Sequence, residues 1–323
     1  MKKTVATSLL AYTLCFGAEG EILSSWNSGE SKNQIIEYVE SVTDHKSKDF
    51  IQVQDRIVVF DNDGTLWSEQ PLYFQLLFAL DRVKALASKH PEWRTTEPFK
   101  SVLENNIEGI LKGGKEGLLK IINISHAGVD VETFQNGVRA WLKEAKHPTK
   151  NRHYSELVYQ PMMELIDYLK ENDFKVYIVS GGGIDFMRTF IPEIYGIPVE
   201  HIIGTKGKVH YEKGKIVKDE GVDFIDDQEL KPVAIYQNIG KRPVAAFGNS
   251  DGDFAMMLYT EAHPKYRTLQ LYLHHTDSKR EWAYDKISYT GVLDKGLTYA
   301  KEHNWTVVDM KKEWKVVYPF ELK

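Results

Sequence analysis

Ile57-Val58-Val59-Phe60 is an unbroken apolar run that ends on an aspartate, Asp61, and no other feature restricts the possible folds so strongly. A half-exposed strand alternates apolar and polar residues. A strand with no polar face has to be covered on both sides, as in a parallel sheet lying between helices. Two later runs have the same form: Val176-Tyr177-Ile178-Val179 ends at Ser180, and Val244-Ala245-Ala246-Phe247 ends at Gly248. Leu269–Leu273 and Trp305–Val308 are candidate outer strands. Met162, Leu165, Ile166 and Leu169 repeat at helical spacing, as do Ile184, Met187, Ile191 and Ile194 after Ser180. This alternation predicts an α/β protein with a doubly wound parallel sheet and helices on both faces.

Between the first strand and the second the period is helical throughout, with Leu76, Leu80 and Val83 on one face and Phe134, Val138, Trp141 and Leu142 on another. Residues 71–150 therefore read as a helical cap inserted into a core of residues 19–70 and 151–323. Ser31 and Gln34 match a capping box ahead of Ile35, Ile36, Val39 and Val42. Short β-prone pieces around Lys206-Gly207-Lys208 and Lys213-Gly214-Lys215 suggest a hairpin.

The 41 basic and 46 acidic side chains are interspersed, for a net charge of -5, which leaves no footprint for nucleic acid and favours a small-molecule partner. Lys2 and Lys3 precede a mostly uncharged stretch from Thr4 to Gly17, with small residues following Phe16. That pattern predicts a bacterial-type signal peptide over residues 1–18 and an exported, periplasmic protein; were the segment an ordinary helix, the protein would stay cytoplasmic. Nothing else approaches the length of a membrane span. The only cysteine, Cys15, falls in this segment, so neither a disulfide framework nor a thiolate zinc site is expected.

In an open parallel sheet, ligands bind at the carboxyl ends of the strands. Those ends carry Asp61-Asn62-Asp63-Gly64-Thr65, Ser180-Gly181-Gly182-Gly183 and Gly248-Asn249-Ser250-Asp251-Gly252-Asp253. Carboxylates, a hydroxyl and flexible backbone amides together suit phosphoryl transfer assisted by Mg²⁺, which prefers oxygen ligands. The alternatives lack their anchors. Neither acidic run has the Gly and Glu of a calcium loop, the Gly triplet fits no dinucleotide or Walker pattern, and no Gly-x-Ser-x-Gly elbow is present.

The strand followed by Asp61-Asn62-Asp63-Gly64-Thr65-Leu66 closely resembles the first motif of the haloacid dehalogenase superfamily. Val179-Ser180-Gly181-Gly182-Gly183 is similar to its second motif, Lys231-Pro232 to its third and Phe247–Asp253 to its fourth, in that order along the chain. The resemblance implies a Rossmann-like core with an insert after the first motif, as in phosphoserine-phosphatase-like members. It implies a Mg²⁺-dependent phosphatase for a small phosphorylated substrate, in which Asp61 attacks phosphorus and Asp63 serves as general acid and base. Ser180, with Gly181 and Gly182, would hold the phosphoryl oxygens. Lys231 would screen charge between nucleophile and phosphate. Mg²⁺ would bind Asp61, the Asp63 carbonyl and a group of the fourth motif. Many members have Asp where this chain has Asn249, so Asp253 is favoured over Asp251 for the acidic role there. Asp63 separates the chain from family dehalogenases and transport ATPases, which lack an Asp at that place. A phosphomutase, or a protein that binds phosphate and metal without turnover, is the alternative.

Other residues are weighed on the same terms. Phosphoserine-specific members carry Glu nine residues after the nucleophile, where this chain has Gln70; Glu69 comes one residue early. Trp67, Glu69 and Gln70 are candidates for substrate contact, and His274 and His275 could reach the same sheet edge.

Overall fold

The computed structural model describes residues 21–322, so the signal-peptide reading of residues 1–18 lies outside the described residues. Seven strands form one sheet: β1 (Ile57–Phe60), β2 (Lys175–Gly183), β3 (Ile202–Glu212), β4 (Lys215–Phe224), β5 (Ala245–Gly248), β6 (Leu269–His274) and β7 (Thr306–Asp309). Their order is β4-β3-β2-β1-β5-β6-β7, with every neighbouring pair parallel except the β3–β4 hairpin. Lys213 and Gly214 turn that hairpin with φ of 46° and 87°, the paired positive values of a two-residue turn whose twist matches the strands.

The apolar runs are buried on both faces because successive side chains go to opposite sides. Val58 and Phe60 join one core cluster with Ile35, Val39, Met162 and Leu165, while Val59 joins a second with Ile235, Met257 and Leu297. The helices Glu30–Thr43 and Gln160–Glu171 cover the first face; Leu230–Ile239, Phe254–Glu261 and Lys295–Glu302 cover the second. From β1 the chain builds outward through β2 and β3, then returns to lay β5 on the other side of β1. The crevice at this reversal, beyond the carboxyl ends of β1 and β5, is where a doubly wound sheet binds its ligand. Asp61 directly follows β1.

Five helices, from Phe74–Leu86 to Val131–Glu144, lie between β1 and β2. They have an apolar cluster of their own, including Leu76, Leu80, Val83, Trp93, Val102 and Ile110. No helix among the described residues is long and apolar enough to cross a membrane.

Local expectations fail in two places. The first helix starts at Glu30 with Gly29 as its cap, so Ser31 is a buried helical residue and Gln34 pairs with Glu30 and Thr306 rather than closing a capping box. The helical periodicity after Ser180 resolves into two short pieces, Ile184–Met187 and Ile191–Ile194. Pro192, in the first turn of the second, has no N–H to continue the first. The Gly triplet belongs to β2 as extended chain and only precedes the helix.

Candidate active site

Asp61, Asp63, Ser180, Gly181, Gly182, Lys231 and Asp253 line one cavity of about 280 Å³, together with Glu69, Tyr73 and Asp227. Four separate segments of sequence meet there because each strand end delivers its loop to the same sheet edge. Lys231, on the helix Leu230–Ile239, is buried and makes the central contact. Its Nζ donates to Asp61 Oδ1 at 2.7 Å, to Asp253 Oδ1 at 2.6 Å and to the Val179 carbonyl at 3.0 Å. Burial works against this cation, but the Asp253 and Asp61 carboxylates outweigh it and hold the ammonium above its ordinary range. Burial, and then the neighbouring Asp253, push the Asp61 carboxyl upward, with Lys231 opposing them.

Asp63 Oδ1 accepts a 2.7 Å hydrogen bond from Trp67 Nε1. Trp67 is buried and stacks on Phe190 with centroids 4.3 Å apart, so its indole is a fixed donor. Asp63 opens onto the cavity, yet enclosure pushes its carboxyl up to about 6 against the pull of Trp67 and Lys231. A side chain at Gly182 would place its Cβ 3.4 Å from Ser180 Oγ and 3.5 Å from Asp63 Oδ2, which shows how closely the second motif abuts the first. The Gly182 amide donates to Ser180 Oγ at 3.1 Å, and the Gly183 amide is taken by Gln75 Oε1 at 2.7 Å.

In the fourth motif, Asn249, Asp251 and Asp253 have different partners. Asp253 Oδ1 belongs to Lys231, while Oδ2 accepts from the Asn249 and Ser250 amides, each at 3.0 Å. Gly248 is what permits this, since a Cβ there would lie 2.5 Å from the Asp253 carboxyl. Asp251 accepts from the amides of Asp294, Lys295 and Gly296 and so caps the helix Lys295–Glu302. Asn249 lies behind the cavity wall, its Oδ1 accepting from Thr65 Oγ1 at 3.2 Å and its Nδ2 donating to Glu69 Oε1 at 2.7 Å.

The haloacid dehalogenase-like hydrolase family model matches residues 58–258, well over half of the chain and all four motifs. The chain belongs to this family. Among curated proteins none matches the chain. A conserved, functionally unknown protein from Anaerococcus prevotii DSM 20548 is 17% identical, with 87% of this chain and 92% of that one covered at a TM-score of 0.51. A protein of unknown function from Bordetella pertussis Tohama I is 13% identical over 79% of this chain and 98% of its own, with a TM-score of 0.49. A phosphoserine phosphohydrolase-like protein from Francisella tularensis subsp. tularensis SCHU S4 is 16% identical over 68% and 87%, with a TM-score of 0.37. At such identities the likeness to solved structures is one of fold.

Within this haloacid dehalogenase-like hydrolase, the remaining sequence candidates separate clearly. Glu69 is buried at the cavity; Gln70 turns away, donating to Ser288 and Thr290 at 2.9 Å. His275 is buried between Glu281 and the Gly64 carbonyl, 3.1 and 2.7 Å from its two ring nitrogens, so it buttresses the first motif from behind. His274 meets Asp285 at 3.4 Å. Tyr73, Gln75, Asp227 and Tyr284 carry no local signal that could single them out, because only long-range packing brings them here.

One buried carboxyl nearby is poorly satisfied: Asp226 is fully buried, and the Ser180 backbone N–H gives it weak support at most. Burial pushes its pKa up to about 7, with Lys231 opposing. Between the unfolded value near 4 and about 7 the folded state holds a proton that the unfolded state releases. The stability tied to this group is therefore present below about pH 4 and lost as pH rises through 7. Asp226→Asn is expected to raise the free energy of unfolding at pH 8 by roughly 1–3 kcal/mol, with the advantage shrinking toward pH 5, as read from urea unfolding at both pH values.

Proposed function

We propose that this hydrolase cleaves phosphomonoesters with Asp61 as nucleophile and Asp63 as general acid and base. The observation that carries the reading is the shared cavity: two aspartates from β1, a hydroxyl and glycine amides from β2, and a buried lysine within 2.7 Å of the first aspartate. Asp61 Oδ attacks phosphorus while the bond to the ester oxygen breaks, and Asp63 delivers its proton to that oxygen. A water then attacks the aspartyl-phosphate and gives its proton to Asp63, which releases inorganic phosphate and restores Asp61. Ser180 and the Gly181 amide receive phosphoryl oxygens, joined by the Gly182 amide once it releases Ser180 Oγ, and Lys231 offsets their charge.

The family implies Mg²⁺, and the residues present fit it. Five carboxylates, Asp61, Asp63, Glu69, Asp227 and Asp253, line the cavity against a single cationic side chain, Lys231. A further cation there would favour entry of a doubly charged ester. The donors at hand are all oxygen: an Asp61 carboxylate of which Lys231 takes only Oδ1 and the Asp63 carbonyl, with the Asn249 amide oxygen, now paired with Thr65 behind the wall, as the third that would turn to the cation. In this reading Asp253 holds Lys231 and the loop rather than the metal. When bound, Mg²⁺ would supply Lewis-acid charge to the phosphoryl oxygens. Leu76, Leu118, Ile122 and Ile225 complete the cavity with apolar surface, which suits a leaving group with an uncharged hydrocarbon part.

Release of inorganic phosphate from a panel of monoesters tests the proposal, with Mg²⁺ and then with chelator. Turnover that the chelator abolishes and Mg²⁺ restores is expected; no release from any ester would overturn it. Asp63→Asn should lower turnover by about 10²–10⁴ for alkyl phosphates, whose leaving oxygen needs a proton. Aryl esters, whose phenolate departs without one, should lose much less, and an equal loss for both classes would remove Asp63 from the acid role.

A further inference from the structure

We infer that Glu69 is the positioning residue of the metal site: it holds the Asn249 amide by its donor end, which leaves the oxygen end for the cation, and it supplies beside the site the negative charge that an amide lacks. The inference rests on the reading above that Asn249 serves Mg²⁺. An asparagine has an acceptor end and a donor end, and only the first is of use to a cation. A carboxylate can pair only with the donor end. Glu69 Oε1 lies 2.7 Å from Asn249 Nδ2, and Thr65 Oγ1 donates to Oδ1 from the other side at 3.2 Å, so the amide is held in one sense.

Glu69 is itself fixed. Tyr284 OH donates to the same Oε1 at 2.7 Å, and its ring stacks on His275 with centroids 4.4 Å apart. The carboxylate fills a slot between two glycines with positive φ, Gly64 at 74° and Gly291 at 61°. A Cβ at either would fall 2.4 Å and 2.0 Å, respectively, from Glu69 Oε1, so both positions must lack a side chain for Glu69 to be there. Three segments more than 170 residues from Glu69, carrying Asn249, Tyr284 and Gly291, are thus shaped around one carboxylate that is 1% exposed. Burial pushes the Glu69 carboxyl well above the ordinary carboxylate range, and the opposing hydrogen bonds from Tyr284 and Asn249 carry no charge. A cation at the neighbouring amide would. Carboxylates that orient a metal ligand from the outer shell do the same elsewhere, where losing them weakens metal binding about 10–100-fold.

Calorimetric titration of the full chain with Mg²⁺ alone, without substrate, tests this. Glu69→Gln keeps the shape and is expected to weaken Mg²⁺ binding about 10–100-fold. The swap Glu69→Gln with Asn249→Asp restores both the charge and the hydrogen bond, now donated by residue 69, and should recover the parental affinity to within about fivefold. Unchanged affinity in Glu69→Gln, or a loss that the swap does not recover, would overturn the inference, the second because it would mark Glu69 as a structural prop only. Asn249→Ala separates the two readings: affinity unchanged there would remove Asn249 from the metal site altogether, whereas a loss there beside an unaffected Glu69→Gln would remove only the role of Glu69. Should Glu69→Gln not fold, Tyr284→Phe withdraws a single hydrogen bond from Glu69 and should weaken Mg²⁺ by about 3–10-fold, with no change counting against the inference.

Discussion

Asp61→Asn is expected to lower phosphate release by at least about 10³-fold, the size of loss seen when a covalent nucleophile is removed. An amide oxygen at this position cannot form the aspartyl-phosphate, and the two aspartates beside it are engaged elsewhere. Asp253 is bound through both oxygens, and Asp63 is held by Trp67. The fold should survive, because Lys231 keeps Asp253 at 2.6 Å and the Val179 carbonyl at 3.0 Å when the Asp61 charge is gone. Two carboxylates against one ammonium is an excess of negative charge, so the unfolding midpoint should be unchanged or slightly raised. Rapid quenching with a labelled ester adds a second readout: covalent phosphate on the parent, none on the variant. A variant that kept more than a tenth of the parental rate would remove Asp61 from the nucleophile role.

The largest effect on stability is expected at Lys231. Lys231→Met leaves Asp61 and Asp253 buried without their cation, and breaking a buried pair from one side costs about 3–5 kcal/mol. The cost depends on pH with a definite sign. Burial already pushes Asp61 above the ordinary carboxylate range and Lys231 holds it down, so the variant moves it further up. A carboxyl with a raised folded pKa favours the fold below its unfolded value, near pH 4, and loses that contribution as pH rises through the folded value. The deficit should therefore be greatest at pH 8 and shrink toward pH 5. Urea unfolding of parent and variant at the two pH values measures it, and a deficit below about 1 kcal/mol, or one independent of pH, would show that the ion cluster does not hold the strand ends together. Mg²⁺ in excess should return part of the lost stability, as any ligand of the folded state does.

The elements that support these residues were legible in the sequence wherever the signal was local. Ile57–Phe60 has no polar residue, so it had to be a strand buried on both faces, and the same holds for Ala245–Phe247, while in Val176–Val179 Tyr177 is only partly buried. Lys213-Gly214 marked its own turn. Where competing local signals were equally strong, tertiary packing chose: Ser31 and Gln34 satisfy a capping pattern, but the helix is capped two residues earlier, at Gly29, and turns Gln34 toward Thr306. Pro192 was visible, yet only the packed chain shows that the helical face of Ile184 and Ile191 is split there.

By itself, then, the order of apolar runs and the chemistry at their ends determined the class of sheet and which loops share its carboxyl edge, because strand burial and strand-end position are properties of contiguous residues. Which oxygen of Asp253 meets Lys231, why Glu69 rather than Gln70 enters the cavity, and what Gly291 is for were decided by the tertiary structure alone. Those outcomes depend on distances of a few ångström between groups 22, 180 and 222 positions apart, and no local pattern encodes such distances.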